Sequence, residues 1–156
     1  MQTLLPGWMT ALNHHPAFVH FPLVLWLTAL LLAVVAALRA DDRLRQCAYG
    51  LLYLGTLAGV AAVLTGLNAE RSVPPGPVRE VLETHEELML SSLALAAGLS
   101  LFAYFAERRP TLWLRRIVLI GLVVLAVLVL LGADRGAEMV YRYGVSVNWS
   151  TALPRP

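Results

Sequence analysis

Histidine is scarce in this chain, and three of its four histidines fall in one short run, His14-His15-Pro16-Ala17-Phe18-Val19-His20-Phe21-Pro22. The fourth is His85. Neutral imidazole binds transition metals through a ring nitrogen and is a common axial ligand of haem iron. The first run stands at the entrance of one long apolar segment, and His85 stands at the entrance of another. Ionisable groups beside lipid usually have a partner, so His20 and His85 are the leading candidates for ligation of a metal or haem iron. His14 and His15 read first as headgroup or water-facing residues, with His15 kept as a further candidate ligand. A zinc or copper site built from His15, His20, His85 and a glutamate is a weaker rival, because an i,i+5 spacing does not place His15 and His20 on one helix face. There is no CxxCH, which excludes covalent c-type haem, and the single Cys47 excludes an intrachain disulfide or a cysteine-rich metal site. Cys47 itself reads as a small apolar helix residue.

Other chemistries lack their residues. No HExxH, P-loop, GxGxxG or nucleophile elbow is present, so no catalytic residue is assigned. Ser91 and Ser92 lie in an apolar segment and are expected to bond back to their own helix. The centres of the apolar segments carry no carboxylate or lysine of the kind a proton relay or ion path requires, which disfavours transport.

The elements that must position the histidines are membrane spans. Of the 156 residues, 58% are hydrophobic and 14% charged, against roughly a quarter charged in a soluble domain. All 12 basic residues are arginine. They sit at segment ends rather than along one stripe, so nucleic-acid binding is not indicated. The expected architecture is all-α: a single domain over residues 1–156, forming an integral membrane four-helix bundle with up-down-up-down order. The spans are expected at about residues 17–38, 47–67, 88–106 and 113–133, each suited to a hydrocarbon core of roughly 30 Å. The first has no basic flank before it and is too long for a signal-peptide core, so it is expected to be retained. Pro22 leaves its start open. A helix beginning at Pro16 would have to accommodate Pro22 in its interior, whereas one beginning near Phe21 would leave His20 outside. Residues 1–13 read as an interfacial arm with Trp8 as anchor. The tail 144–156 has mixed polarity, with a β-like Val145-Ser146-Val147 followed by Trp149. Gly55, Gly59, Ala62 and Gly66 share a face of the second span, as do His85, Ser92, Ala96 and Ala103 on the third. Such faces admit a neighbouring helix or, less readily, a flat ligand.

Arginine placement gives the orientation. Arg39, Arg43, Arg45, Arg108, Arg109, Arg115 and Arg116 flank the first and third connections, while the second holds only Arg71 and Arg79 among five glutamates. Short arginine-rich loops stay in the cytoplasm. The expected location is therefore a bacterial inner membrane, with both termini, the long loop and all four histidines on the periplasmic side. In an up-down-up-down bundle the first and third spans are diagonal and parallel. His20 and His85 would then meet at one mouth and could ligate a b-type haem, with Arg135, Arg142 or Arg71 pairing its propionates.

The run from His15 to Pro22 resembles the HPxxVHFP opening of a bacterial family of small four-helix membrane proteins of unknown function. That family also has a Thr-Gly at the end of its second helix, a histidine at the start of its third, and a closing VYxHGVxV. Thr65-Gly66, His85 and Val140-Tyr141-Arg142-Tyr143-Gly144-Val145-Ser146-Val147 fill these places. Tyr143 stands where the family has its final histidine, and Ala137 where it has the second glycine of a pair. The resemblance adds Tyr143 to the candidate cofactor-binding residues and implies an accessory place in respiratory electron transfer. The leading expectation is a haem b electron carrier working between a quinone or redox partner in the membrane and a periplasmic redox protein. The alternatives are a non-enzymatic accessory subunit docked in a larger membrane complex, and a metal-binding membrane protein.

Overall fold

The computed structural model describes Leu4, Trp8, Ala11 and residues 13–109 and 111–147. Four helices make up the fold: α1 (His15–Arg39), α2 (Asp42–Ala69), α3 (Val78–Arg108) and α4 (Leu112–Tyr141), with a 3-10 turn, Glu70–Ser72, prolonging α2. All four are long and apolar enough to cross a membrane. Among the described residues there is no strand.

The helices outrun the spans expected from hydrophobicity. With 31 residues, α3 is about 46 Å long, which exceeds a hydrocarbon core of roughly 30 Å. The acidic stretch before the third span and the polar stretch after the fourth are thus continuations of α3 and α4. The Pro22 question is settled by the start of α1 at His15, with Pro16 in its first turn and Pro22 inside the helix. Pro22 has no N–H for the Phe18 carbonyl, and its ring is buried in the bundle.

Short turns make two antiparallel hairpins. Ala40, at φ 52, ends α1, and the Asp41 carboxylate caps α2 by accepting from the Arg43 and Leu44 amides at 2.8 and 3.2 Å. The α3–α4 turn is equally short. The α2–α3 connection contains Pro74, Pro75 and Pro77, with Pro77 just before the first residue of α3. At the exit of α4, Gly144 adopts φ 67, so that the Gly144 amide returns to the Val140 carbonyl and the Val145 amide to the Met139 carbonyl, each at 3.0 Å. The first of these is the 5→1 bond of an αL helix cap. It folds Tyr143 and Val145 onto a small second core of Val73, Val78, Leu82 and Met139. The expected β-like Val145-Ser146-Val147 is therefore a turn, with Ser146 at φ 64. Trp149 falls outside the described residues.

Packing follows the hairpins. α1 lies mainly on α2 and α3 on α4, while α2–α3 and α1–α4 contacts close the ring and leave α1 and α3 diagonal. The main core combines Trp26, Leu52, Leu99, Leu122 and Leu125 with alanines such as Ala29, Ala48, Ala96 and Ala103. The small face of α2 serves helix packing here: a Cβ on Gly55 would lie 2.6 Å from Trp26 Cδ1, and one on Gly59 would lie 3.0 Å from Trp26 Cη2. The Thr56, Ser92 and Ser100 hydroxyls bond back to their own helices, Ser92 to the Leu88 carbonyl at 2.7 Å. The Thr56 and Ser100 hydroxyls also meet across α2 and α3 at 3.1 Å.

Seating of the indole predicts an asymmetry between two glycines of one helix. Gly55→Val should destabilise the bundle by about 1–3 kcal/mol through overpacking, seen as a lower melting temperature in detergent. Gly50→Ala, where an added Cβ meets nothing within 4 Å, should leave it unchanged or raised.

Candidate functional site

The start of α1, the end of α2, the start of α3 and the end of α4 meet at one mouth of the bundle. The buried face of α1 is marked by Pro22, Trp26, Ala29, Ala33 and Ala36. His15, seven residues before Pro22, lies on that face, because seven residues make nearly two full turns. His20, two residues before Pro22, points the other way. It is exposed, and its Nδ1–H donates to the Pro16 carbonyl of its own helix at 2.7 Å. The histidine that joins His85 inside the mouth is therefore His15, not His20. The expectation of His15 in water or headgroups is corrected on the same ground: the helix starts early enough to turn it inward.

Each inward histidine is seated in a notch on the other helix of its hairpin. The His15 ring lies against Gly66 of α2, where a Cβ would come within 3.0 Å of its Cε1. Its Nδ1 lies 3.1 Å from the Thr65 hydroxyl oxygen. The same hydroxyl lies 3.0 and 2.9 Å from the Ala61 and Ala62 carbonyls; with its one proton on a carbonyl, its oxygen accepts from His15 Nδ1–H. The His85 ring lies against Gly136 of α4, with 3.3 Å between its Cε1 and a Cβ placed there. Its Nδ1–H donates to the Gly132 carbonyl at 2.7 Å. One turn further along α3, the Met89 side chain fills the space a Cβ on Gly132 would need.

A carbonyl can only accept, so His85 carries its hydrogen on Nδ1. The Ala62 carbonyl, also within reach of the His15 ring, favours the same tautomer there. Both Nε2 atoms then keep free lone pairs, and neither has a hydrogen-bond partner among the described residues. The two rings, from diagonal helices, lie within Coulombic reach of each other. An imidazole anchored through Nδ1–H to an oxygen, with Nε2 bare, is the arrangement metal-ligating histidines use.

The remaining candidates lie around this mouth. His14 stacks on Trp8 with ring centroids 3.9 Å apart and donates from Nε2 to the Trp8 carbonyl at 3.2 Å, which keeps its ring out of the pair. Glu138 holds both Arg135 and Arg142, at 2.7 and 2.8 Å. Arg71 is exposed on the 3-10 turn. Tyr143 packs on the second core beneath the Arg142 guanidinium, 5.4 Å from its ring centroid. The Asn13 amide donates to Ser146 Oγ at 2.7 Å and so joins the entry of α1 to the exit of α4. No group of three or more histidine, cysteine, aspartate or glutamate side chains converges as a metal site among the described residues.

Residues 11–148 match the family described as predicted membrane protein (DUF2231). The chain belongs to this family. No curated protein and no solved structure matches it. Family membership accords with the four long apolar helices and assigns no activity.

Sequence reading missed the partners of the pair. Gly132 and Gly136 stand four apart on α4, the spacing of small residues that marks close approach in a membrane, and that spacing was the available signal. Thr65 was marked only by the family's Thr-Gly pattern and not as a histidine acceptor, since its position beside His15 depends on how α1 is rotated.

Histidine NMR can test the tautomers. In protein labelled with nitrogen-15 at histidine, His15 and His85 should both show protonated Nδ1 and bare Nε2. Thr65→Val should disturb the His15 signals alone and cost about 1 kcal/mol of stability.

Proposed function

We propose that this DUF2231 protein is an electron carrier of the bacterial inner membrane, holding one b-type haem between His15 and His85 at the periplasmic mouth of the bundle. The observation that carries this reading is the pair of anchored imidazoles on diagonal helices, each with its Nε2 lone pair free. The donor set fits the group. A porphyrin iron takes four nitrogens from the macrocycle and needs only two from the protein, whereas zinc normally takes three or four protein ligands, and no such cluster is present among the described residues. A b-type haem would supply a one-electron couple.

The chain's own residues would set the conditions for that couple. Thr65 and the Gly132 carbonyl orient the rings and make their Nε2 atoms more basic. Gly66 and Gly136 let the rings sit close to the helix backbones. Arg135 and Arg142, both at the exit of α4, offer guanidinium forks suited to carboxylates in exchange for their shared Glu138. A quinone in the bilayer and a periplasmic redox protein are the partner classes this position serves. The orientation rests on the arginines flanking the α1–α2 and α3–α4 turns, among them Arg39, Arg43, Arg108 and Arg116.

Protein purified after expression with ample haem should show a Soret band. His15→Ala and His85→Ala should each abolish it or shift it to that of a weakly held haem, and His20→Ala should leave it intact. A colourless wild-type protein would overturn the haem reading and favour an accessory subunit of a larger complex. Alkaline phosphatase fused after Pro156 should be active in a Gram-negative host, since the enzyme folds only outside the cytoplasm. Activity of a cytoplasmic reporter at the same position would reverse the orientation.

A further inference from the structure

The opposite mouth of the bundle, where the arginines gather, encloses a second polar site. A cavity of about 40 Å³ lies between α1, α2 and α4, lined by Ala33, Ala37, Arg45, Tyr49, Arg115 and Leu119. A single water needs at least about 10–15 Å³, so the space matches a few waters or one tetrahedral anion. Two guanidinium groups border it, and both side chains are mostly withdrawn from solvent, Arg45 at 14% and Arg115 at 28% exposure. Both reach the same oxygen of one carboxylate, Asp42 Oδ1, Arg115 from 3.4 Å. Asp42 is itself 67% exposed and stands at the rim. The nearby carboxylates are otherwise engaged: Asp41 accepts the α2 amides, and Glu107 accepts the Tyr53 hydroxyl at 2.9 Å.

Asp42 and Asp41 offset the two guanidiniums in charge, but the cavity still has hydrogen-bond donors to spare. The Arg115 Nε–H is sealed from water and has no acceptor among the described residues. A buried donor left unpaired is costly, so this N–H is poised for an acceptor that enters the cavity. Tyr49 is buried and within Coulombic range of both guanidiniums.

We infer that this cavity binds the phosphate of an anionic phospholipid. Guanidinium forks suit phosphate oxygens, and basic pockets between helices at a membrane face are where such headgroups bind. The route in also points to lipid. Ala37 is exposed and Ala33 buried, which leaves a shallow entry with no bulky side chain on the α1 side. Beside it, Leu38 and Val34 are open to the bilayer. The α1–α4 seam, less extensively packed than either hairpin, gives acyl chains a groove to follow. This site is at the other end of the bundle from His15 and His85 and does not depend on the haem reading.

Native mass spectrometry of the full chain, delipidated in detergent and then supplied with phosphatidylglycerol, tests the assignment. The wild-type protein should retain one phosphatidylglycerol per chain. Arg115→Gln should weaken retention about tenfold and Tyr49→Phe severalfold, while Arg116→Gln, on the exposed side of the same turn, should match the wild type. Melting temperatures show whether each variant is folded. If Arg115→Gln does not fold, Tyr49→Phe decides, since it removes only a hydroxyl. Equal retention by the wild type and the deciding variant would overturn the site. Displacement of the lipid by millimolar inorganic phosphate would overturn the lipid as occupant and assign the cavity to a free anion.

Discussion

Helices surrounded by lipid gain little from burying apolar side chains against one another, because the acyl chains are equally apolar. What holds such a bundle together is close fit, and in this chain close fit comes from large side chains seated where a neighbour has none. Trp26 lies on Gly55 and Gly59, Met89 on Gly132, and Leu99 on Gly121. Each seat fixes the rotation and height of one helix against another. The alanine-rich core between them, Ala29, Ala33, Ala48, Ala96 and Ala103 among others, keeps the backbones near enough for those seats to work.

The same device holds the two histidines. His15 on Gly66 and His85 on Gly136 repeat the pattern of a bulky ring in a small notch, with a hydrogen bond added in each case. In lipid a polar ring must find its partner inside the protein. Thr65 and the Gly132 carbonyl provide that partner on one nitrogen only. Packing and polar satisfaction thus act on the same residues, and the chemistry left over is a pair of bare nitrogens on diagonal helices.

The two mouths of the bundle differ in kind. At the histidine mouth the arginines of α4 are matched by Glu138, and the unmatched groups are imidazole lone pairs. At the other mouth Arg45 and Arg115 share one rim carboxylate, and the unmatched group is a donor, Arg115 Nε. One end therefore presents bare lone pairs and the other an unpaired donor. Short turns at the arginine end and the longer proline-containing connection at the histidine end follow the same division.

The number of helices, their apolar character and their antiparallel order were legible in the sequence, because length, the absence of charge and short polar turns act locally along the chain. One contact face was legible too, since Gly55, Gly59 and Gly66 recur at helical spacing. Tertiary structure alone decided which histidine turned inward. That choice depends on where α1 begins around Pro16 and Pro22, and each residue added at the start rotates the earlier ring by about 100°. It also decided that the Val145-Ser146-Val147 stretch turns back onto Met139 instead of extending, because the left-handed Gly144 closes α4 only when a second core is there to receive Tyr143 and Val145. Residue type proposed imidazoles at a membrane mouth, and helix rotation, which no single segment encodes, selected His15 and His85.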